Sequence, residues 1–119
     1  MKETWRLPDL HDWEISTIHV DPYLRIVDIS LREPNQGQAM MCHLSGVKQY
    51  HGSGMMLQNV ILDACIFSEE TPSDDLNYCK KKLGISVIDI DCFILYIEPS
   101  VGMEIICYFQ TLEINFNNS

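Results

Sequence analysis

The chain predicts an α+β, mainly β fold: an antiparallel sheet or β-sandwich of six to eight strands with one short helix at about 73–83. Three observations predict it. Short apolar runs, alternating or continuous, recur from Ile15 to Phe116 and are divided by turn signals such as Asp21-Pro22, Glu33-Pro34-Asn35-Gln36-Gly37 and Pro99-Ser100-Val101-Gly102. Only one stretch carries both helix-start and helix-stop chemistry. The 119 residues, 46% hydrophobic and 21% charged, match a single globular domain, 1–119, with little room for two hydrophobic cores.

Residues 1–9 are a lead-in, and Pro8 discourages a helix there. Residues 13–20 read as the first strand. Its apolar positions change phase between Ile15 and Ile18, which predicts a bulge near Ser16-Thr17. After the Asp21-Pro22 turn, 23–32 reads as a second strand and completes a hairpin, with Tyr23, Val27, Ile29 and Leu31 on one face. Met40, Cys42 and Leu44 mark a third strand ending at Ser45-Gly46. The glycines of Gly52-Ser53-Gly54 make 47–57 a flexible loop and a candidate for mobility tied to function. Residues 59–67 are apolar on both parities, the pattern of a strand covered on both sides.

The helix follows. Ser73 is a natural N-cap, Asp74 and Asp75 complement the dipole in the first turn, and Lys80, Lys81 and Lys82 do so in the last. Leu76, Cys79 and Leu83 share a face, and Gly84 suits the residue after the C-cap. Residues 85–90 and 92–98 read as the next strand region, 99–102 as a hairpin turn, and 103–109, extended toward Phe116, as the returning strand. The last three residues, 117–119, read as a frayed tail.

Charge narrows the function. Seventeen acidic residues against eight basic ones give a formal net charge of -9, which argues against nucleic acid and permits a basic protein partner. The five cysteines are odd in number, widely spaced and without a CxxC pair, and the first residues have no apolar signal segment. No run approaches a membrane span. These features predict a reduced, cytoplasmic protein with no membrane association.

Two clusters carry potential chemistry. His11-Asp12 is the first: a base with an orienting carboxylate or two metal ligands, provided the backbone turns between them, or a turn in which Asp12 bonds backbone amides. His19 and Asp21, two apart, would share a strand face and suit a metal ion better than His11 and Asp12, though neither pair is a specific signal. The second is the acidic set Glu69, Glu70, Asp74 and Asp75, which would meet a basic surface or simply cap a helix. Cys42-His43 is not a thiol-protease pair, because alternation sends the two side chains to opposite faces. Asp63, Asp89 and Asp91 read as outward-facing strand positions. No P-loop, GxGxxG, HExxH or GxSxG is present, the cysteines lack zinc-site spacing, and no cofactor or metal is expected.

Leu10-His11-Asp12 ahead of a strand, Gly46-Val47 closing another, and Gln58-Asn59-Val60-Ile61-Leu62-Asp63 together resemble a group of small bacterial β-rich proteins, some of them regarded as immunity proteins of polymorphic toxin systems. The resemblance covers roughly 7–67, and the chain departs from it at Gly52-Ser53-Gly54. It implies an antiparallel fold and a non-enzymatic binding role, and it supplies no catalytic residues. Small acidic proteins of this kind also occur on mobile gene cassettes.

The leading expectation is therefore a binding module, an immunity-type inhibitor that masks a basic partner, with Trp5 or Tyr50 as an aromatic anchor. One alternative is a small-ligand binder or enzyme whose pocket between sheet and helix is lined by His11, Asp12 and His43. Another is a homodimer paired through exposed strands, with 92–109 the favoured segment.

Overall fold

The computed structural model describes residues 7–71 and 73–117; Trp5 and most of the predicted lead-in, Pro72, and the last two residues of the predicted tail lie outside the described residues. The order is β1 (Glu14–Asp21), β2 (Ile26–Arg32), β3 (Ala39–Ser45), β4 (Gln49–Ser53), β5 (Val60–Phe67), α1 (Asp74–Leu83), β6 (Phe93–Val101), β7 (Glu104–Phe109) and β8 (Thr111–Asn117). The eight strands form one antiparallel sheet in the order β4-β7-β6-β5-β1-β2-β3-β8.

That sheet bends over on itself into two four-stranded halves, β1-β2-β3-β8 and β5-β6-β7-β4. β3 runs into β4 through three residues, and β7 runs into β8 through Gln110 alone. β3 pairs along β8 while β4 pairs along β7, so two bent ribbons lie side by side through a shared corner. The corner is held by Lys48 N donating to Tyr108 O at 2.7 Å and Gln110 N to Ser45 O at 3.1 Å. Gly46 sits in it at φ +60, where a Cβ would stand 2.3 Å from Gln110 Oε1, so this turn needs glycine. On the other side β1 and β5 touch only at their starts, Glu14 opposite Val60, with Ile15 N donating to Asn59 O and Ile61 N to Trp13 O.

The inner faces of both halves share one core. Val27, Ile29, Leu31, Met40, Cys42 and Leu44 come from the first half, and Ile61, Leu95, Ile97, Ile105, Cys107 and Phe109 from the second. Burial of each large side chain here stabilises the fold by about 1.5–3 kcal/mol. A second apolar layer lies on the outer face of the second half, where Phe67, Ile94, Tyr96, Ile106 and Tyr108 pack against Leu76 and Cys79 of α1. One sheet thus serves two apolar layers in a chain whose size suggests a single core.

Several expectations hold. The helix spans Asp74–Leu83, Ser73 Oγ accepts from Leu76 N at 2.9 Å, and Gly84 takes the left-handed conformation at φ 71. The β1–β2 hairpin shifts register between Ile15 and Thr17, where the change of phase predicts it. Others need correction. Tyr23 is not a strand residue sharing a face with Val27 but part of the turn, and it is 95% exposed. Much of the predicted flexible loop is β4, paired to β7. What remains of it is pinned by buried Asn59, whose Oδ1 accepts from Met56 N at 2.9 Å and Met103 N at 3.1 Å while Nδ2 donates to Met56 O. Residues 85–90 are not a strand: Glu69 accepts from Ile88 N, Ile88 drops into the outer layer, and Val87 and Ile90 stay exposed, as do Asp89 and Asp91. The predicted turn at 99–102 is mostly strand, since β6 continues to Val101 and the reversal falls at Gly102. β8 likewise takes in Asn117, the first residue of the predicted tail.

Candidate functional site

The start of β5 does not follow the alternation of an ordinary strand. Ile61 lies opposite Pro99 and Asp63 opposite Glu98, so Leu62 is an extra residue that bulges from the ladder. The bulge leaves both Leu62 and Asp63 exposed. Asp63 and Glu98 then stand directly opposite each other on neighbouring strands. A like-charge pair in that position costs stability, on the order of 0.2–1 kcal/mol. Neither carboxylate has an ion-pair partner among the described residues.

More acids gather around this pair. The Cys65 thiol, two residues along β5, is pushed up to about 11 by burial first and then by the negative charge of Asp63, Asp75 and Glu98. Asp75, in the first turn of α1, adds its charge at the same thiol. From the other side comes the segment before β1. Asp12 N donates to Ile61 O at 2.8 Å, and the His11 ring bonds Leu62 O through Nδ1 at 2.9 Å. The bond to the Leu62 carbonyl, then the Asp12 carboxylate, raises the His11 imidazole above its ordinary value, with Asp9 and Asp63 acting in the same direction. Asp12 adopts φ 70, the backbone turn that lets the adjacent side chains meet, with His11 Nε2 3.5 Å from Asp12 Oδ1.

An apolar element completes the corner. Met55, Met56 and Leu57 are 56%, 58% and 109% exposed on the turn that Asn59 pins, and Val101, opposite Val60, is exposed too. Gln58 ties this turn to β1 through Glu14, Nε2 to Oε1 at 3.0 Å. The corner thus presents exposed aliphatic and thioether side chains, held by a rigid backbone, beside carboxylates.

The residues singled out in the sequence separate into two groups. His11 and Asp12 belong to this corner, while Asp75 acts with Asp63 and Glu98 on the Cys65 thiol farther along β5. Glu69 does not: its carboxylate binds Lys80 Nζ at 2.7 Å and Ile88 N at 2.8 Å, which fastens the 85–92 segment to α1. Glu70 and Asp74 are exposed beside the helix start. Tyr50 is half-buried against the inner core. His43 bonds Asp28 on the outer face of the first half, and Asp21 Oδ1 caps its own turn by accepting from Tyr23 N and Leu24 N. Cys42 is buried, its thiol pushed up to about 12 by burial alone, as a core cysteine should be.

Sequence reasoning missed a further cluster. Glu104, at the start of β7, accepts from the Tyr78 hydroxyl of α1 at 2.8 and 3.0 Å and from the Tyr96 hydroxyl at 3.5 Å, with His51 Nε2 3.9 Å away. The bond to Glu104 raises Tyr78 to about 12, and burial raises Tyr96. With its side chain 16% exposed, the carboxylate latches the helix to the sheet. Only the register His51–Ile106–Tyr96 would have revealed it.

Two surface clefts accompany these clusters. One of about 230 Å³ lies at the β1–β2 turn beside Arg25, Val47, Lys48 and Tyr50, and one of about 350 Å³ between Ser16, Arg32, Met41 and Phe116. Neither includes His11, Asp12 or His43. Among the described residues no group of three His, Cys, Asp or Glu side chains is placed to hold a metal ion, the five thiols are free, and no helix is long and apolar enough to cross a membrane. Comparisons with protein families, with curated proteins and with solved structures found no match.

Proposed function

We propose that this protein is a non-enzymatic binding module that masks a basic protein partner with the acidic, apolar-centred corner at the start of β5, an inhibitor of the immunity type being the concrete form. The observation that carries the reading is the opposed pair Asp63 and Glu98, without an ion-pair partner among the described residues, beside exposed Leu62. Natural sheets place opposite charges, or a charge and an amide, across such positions. A pair of carboxylates held there makes sense when a cationic group arrives from outside. The net charge of -9 extends the same field and would speed encounter with a basic surface. Met55, Met56 and Leu57 supply apolar contact of the adaptable kind that thioethers give.

Affinity capture from the native host's lysate at low salt, with elution by salt, tests this reading against a double variant, Asp63→Asn with Glu98→Gln. The native chain should retain a basic protein that salt releases. The double variant should lose it while unfolding at the same or slightly higher urea concentration, because a repulsion has been removed. Retention of the same protein by the double variant, or capture indifferent to salt, would overturn the proposal.

A further inference from the structure

Among the described residues, four strand edges in this sheet lack a full ladder partner, and three of them are guarded. The free part of β1 carries the bulge near Ser16. β4 is five residues long, contains Gly52 and is packed beside α1. The open side of β5 is covered at its start by the Asp12 amide and the His11 ring. Among the described residues, β8 has none of these devices. It pairs with β3 through seven consecutive residues without a register shift, and it contains no proline, glycine, lysine or arginine. Its second edge has no backbone partner among the described residues. Native edges of this length are ordinarily blunted by a bulge, a charge pointing inward or a covering segment.

The sequence of β8 is also complementary to itself. In an antiparallel pairing about a two-fold axis at Ile114, Leu112 falls opposite Phe116 of the second copy and Glu113 opposite Asn115 of the second copy. Apolar then meets apolar on one face, covering Phe116, which is 49% exposed. The only charge on the strand meets an amide instead of its own copy. A shift that centred the axis on Glu113 would oppose two carboxylates, so the charge selects the register.

We infer that β8 is the edge through which two copies of this chain pair, joining the halves β1-β2-β3-β8 of both into one continuous sheet. Such a contact is isologous, as a two-fold dimer requires. Three strands, β3, β2 and β1, separate it from the acidic corner on β5, so the contact leaves that corner open in both copies. Because each copy carries a net charge of -9, added salt screens the repulsion between copies and strengthens the dimer. Capture of a basic partner has the opposite salt dependence, so failure of one reading does not carry over to the other.

Sedimentation across a concentration series tests the inference with two variants at Asn115, an exposed position. Asn115→Asp opposes Glu113 of the second copy twice across the axis and should raise the dissociation constant roughly tenfold; Asn115→Lys should lower it by a similar factor. Circular dichroism confirms that both variants fold. Amides of 111–117 should gain protection from hydrogen exchange as concentration rises. A chain that stays monomeric into the millimolar range, two variants that shift dissociation in the same direction, or β8 amides protected at every concentration because another segment of the chain covers them would each overturn it.

Discussion

The two halves of the sheet have the same inner face and opposite outer ones. Behind Ile29, Cys42 and Leu44, the outward positions of the first half are Thr17, His19, Asp28, Ser30, Met41, His43 and Glu113, and they meet solvent. Behind Leu95, Ile105 and Cys107, the outward positions of the second half are Ile94, Tyr96, Ile106 and Tyr108, and they meet α1 and the segment that follows it. The difference shows how coverage is written into a strand. β2 alternates, as a strand wet on one side must; β6 and β7 are apolar on both parities, because each side packs on something. A helix was needed where alternation stops.

The contrast is sharpened by substitutions placed on each side. The largest effect is expected from Leu76→Ala, which empties a side chain 2% exposed between α1 and the second half. A loss of about 3 kcal/mol is expected in urea unfolding. Met41→Ala, at 41% exposure on the bare face, should cost well under a third of that. Equal losses at the two positions would erase the distinction between a covered and an open outer face.

A smaller effect should appear with pH. The bond to Glu104 raises Tyr78 from an ordinary value of 10.0 to about 12. A phenol whose folded pKa lies above its unfolded one lends stability that is whole below the unfolded value and disappears as pH climbs through the folded one. The latch should therefore hold below pH 10 and weaken between 10 and about 12. Ultraviolet absorbance of the phenolate, followed together with helix content, reads this directly, and Glu104→Gln should move the Tyr78 titration downward. On the bare face the smallest effect is expected: His43→Asn removes a partly exposed pair with Asp28 and should change stability by less than about 1 kcal/mol.

What could be read from the chain follows the same division. α1 was legible because Ser73, the acids after it, the lysines and Gly84 are all local signals, and each acts within one turn of the element it delimits. The bulge in β1 showed as a phase change within four residues. β4 was not legible, because Gln49–Ser53 has neither alternation nor β-branched residues, and its strand geometry comes from β7, remote in sequence. Residues 85–90 misled for the converse reason: their alternation is that of a strand, but the outer layer needs only Ile88. In the candidate site, His11, Asp12 and Asp63 were visible as polar residues beside an apolar strand. That Glu98 opposes Asp63, and that Leu62 bulges, depend on register across β5 and β6, which no local pattern states.

The bent ribbons have a consequence for the order in which the chain becomes native. β1, β2 and β3 form a meander of neighbours in sequence and need nothing from later residues to pair. β3 and β4, however, find their remaining partners in β8 and β7, which follow them by more than fifty residues of sequence. Until those arrive, the meander has an inner face with nothing to close it, and the free edge of β3 waits open. Loop closure of that span sets the pace, so folding should be slow for a domain of this size, with the pairing of β3 to β8 and of β4 to β7 among its late steps.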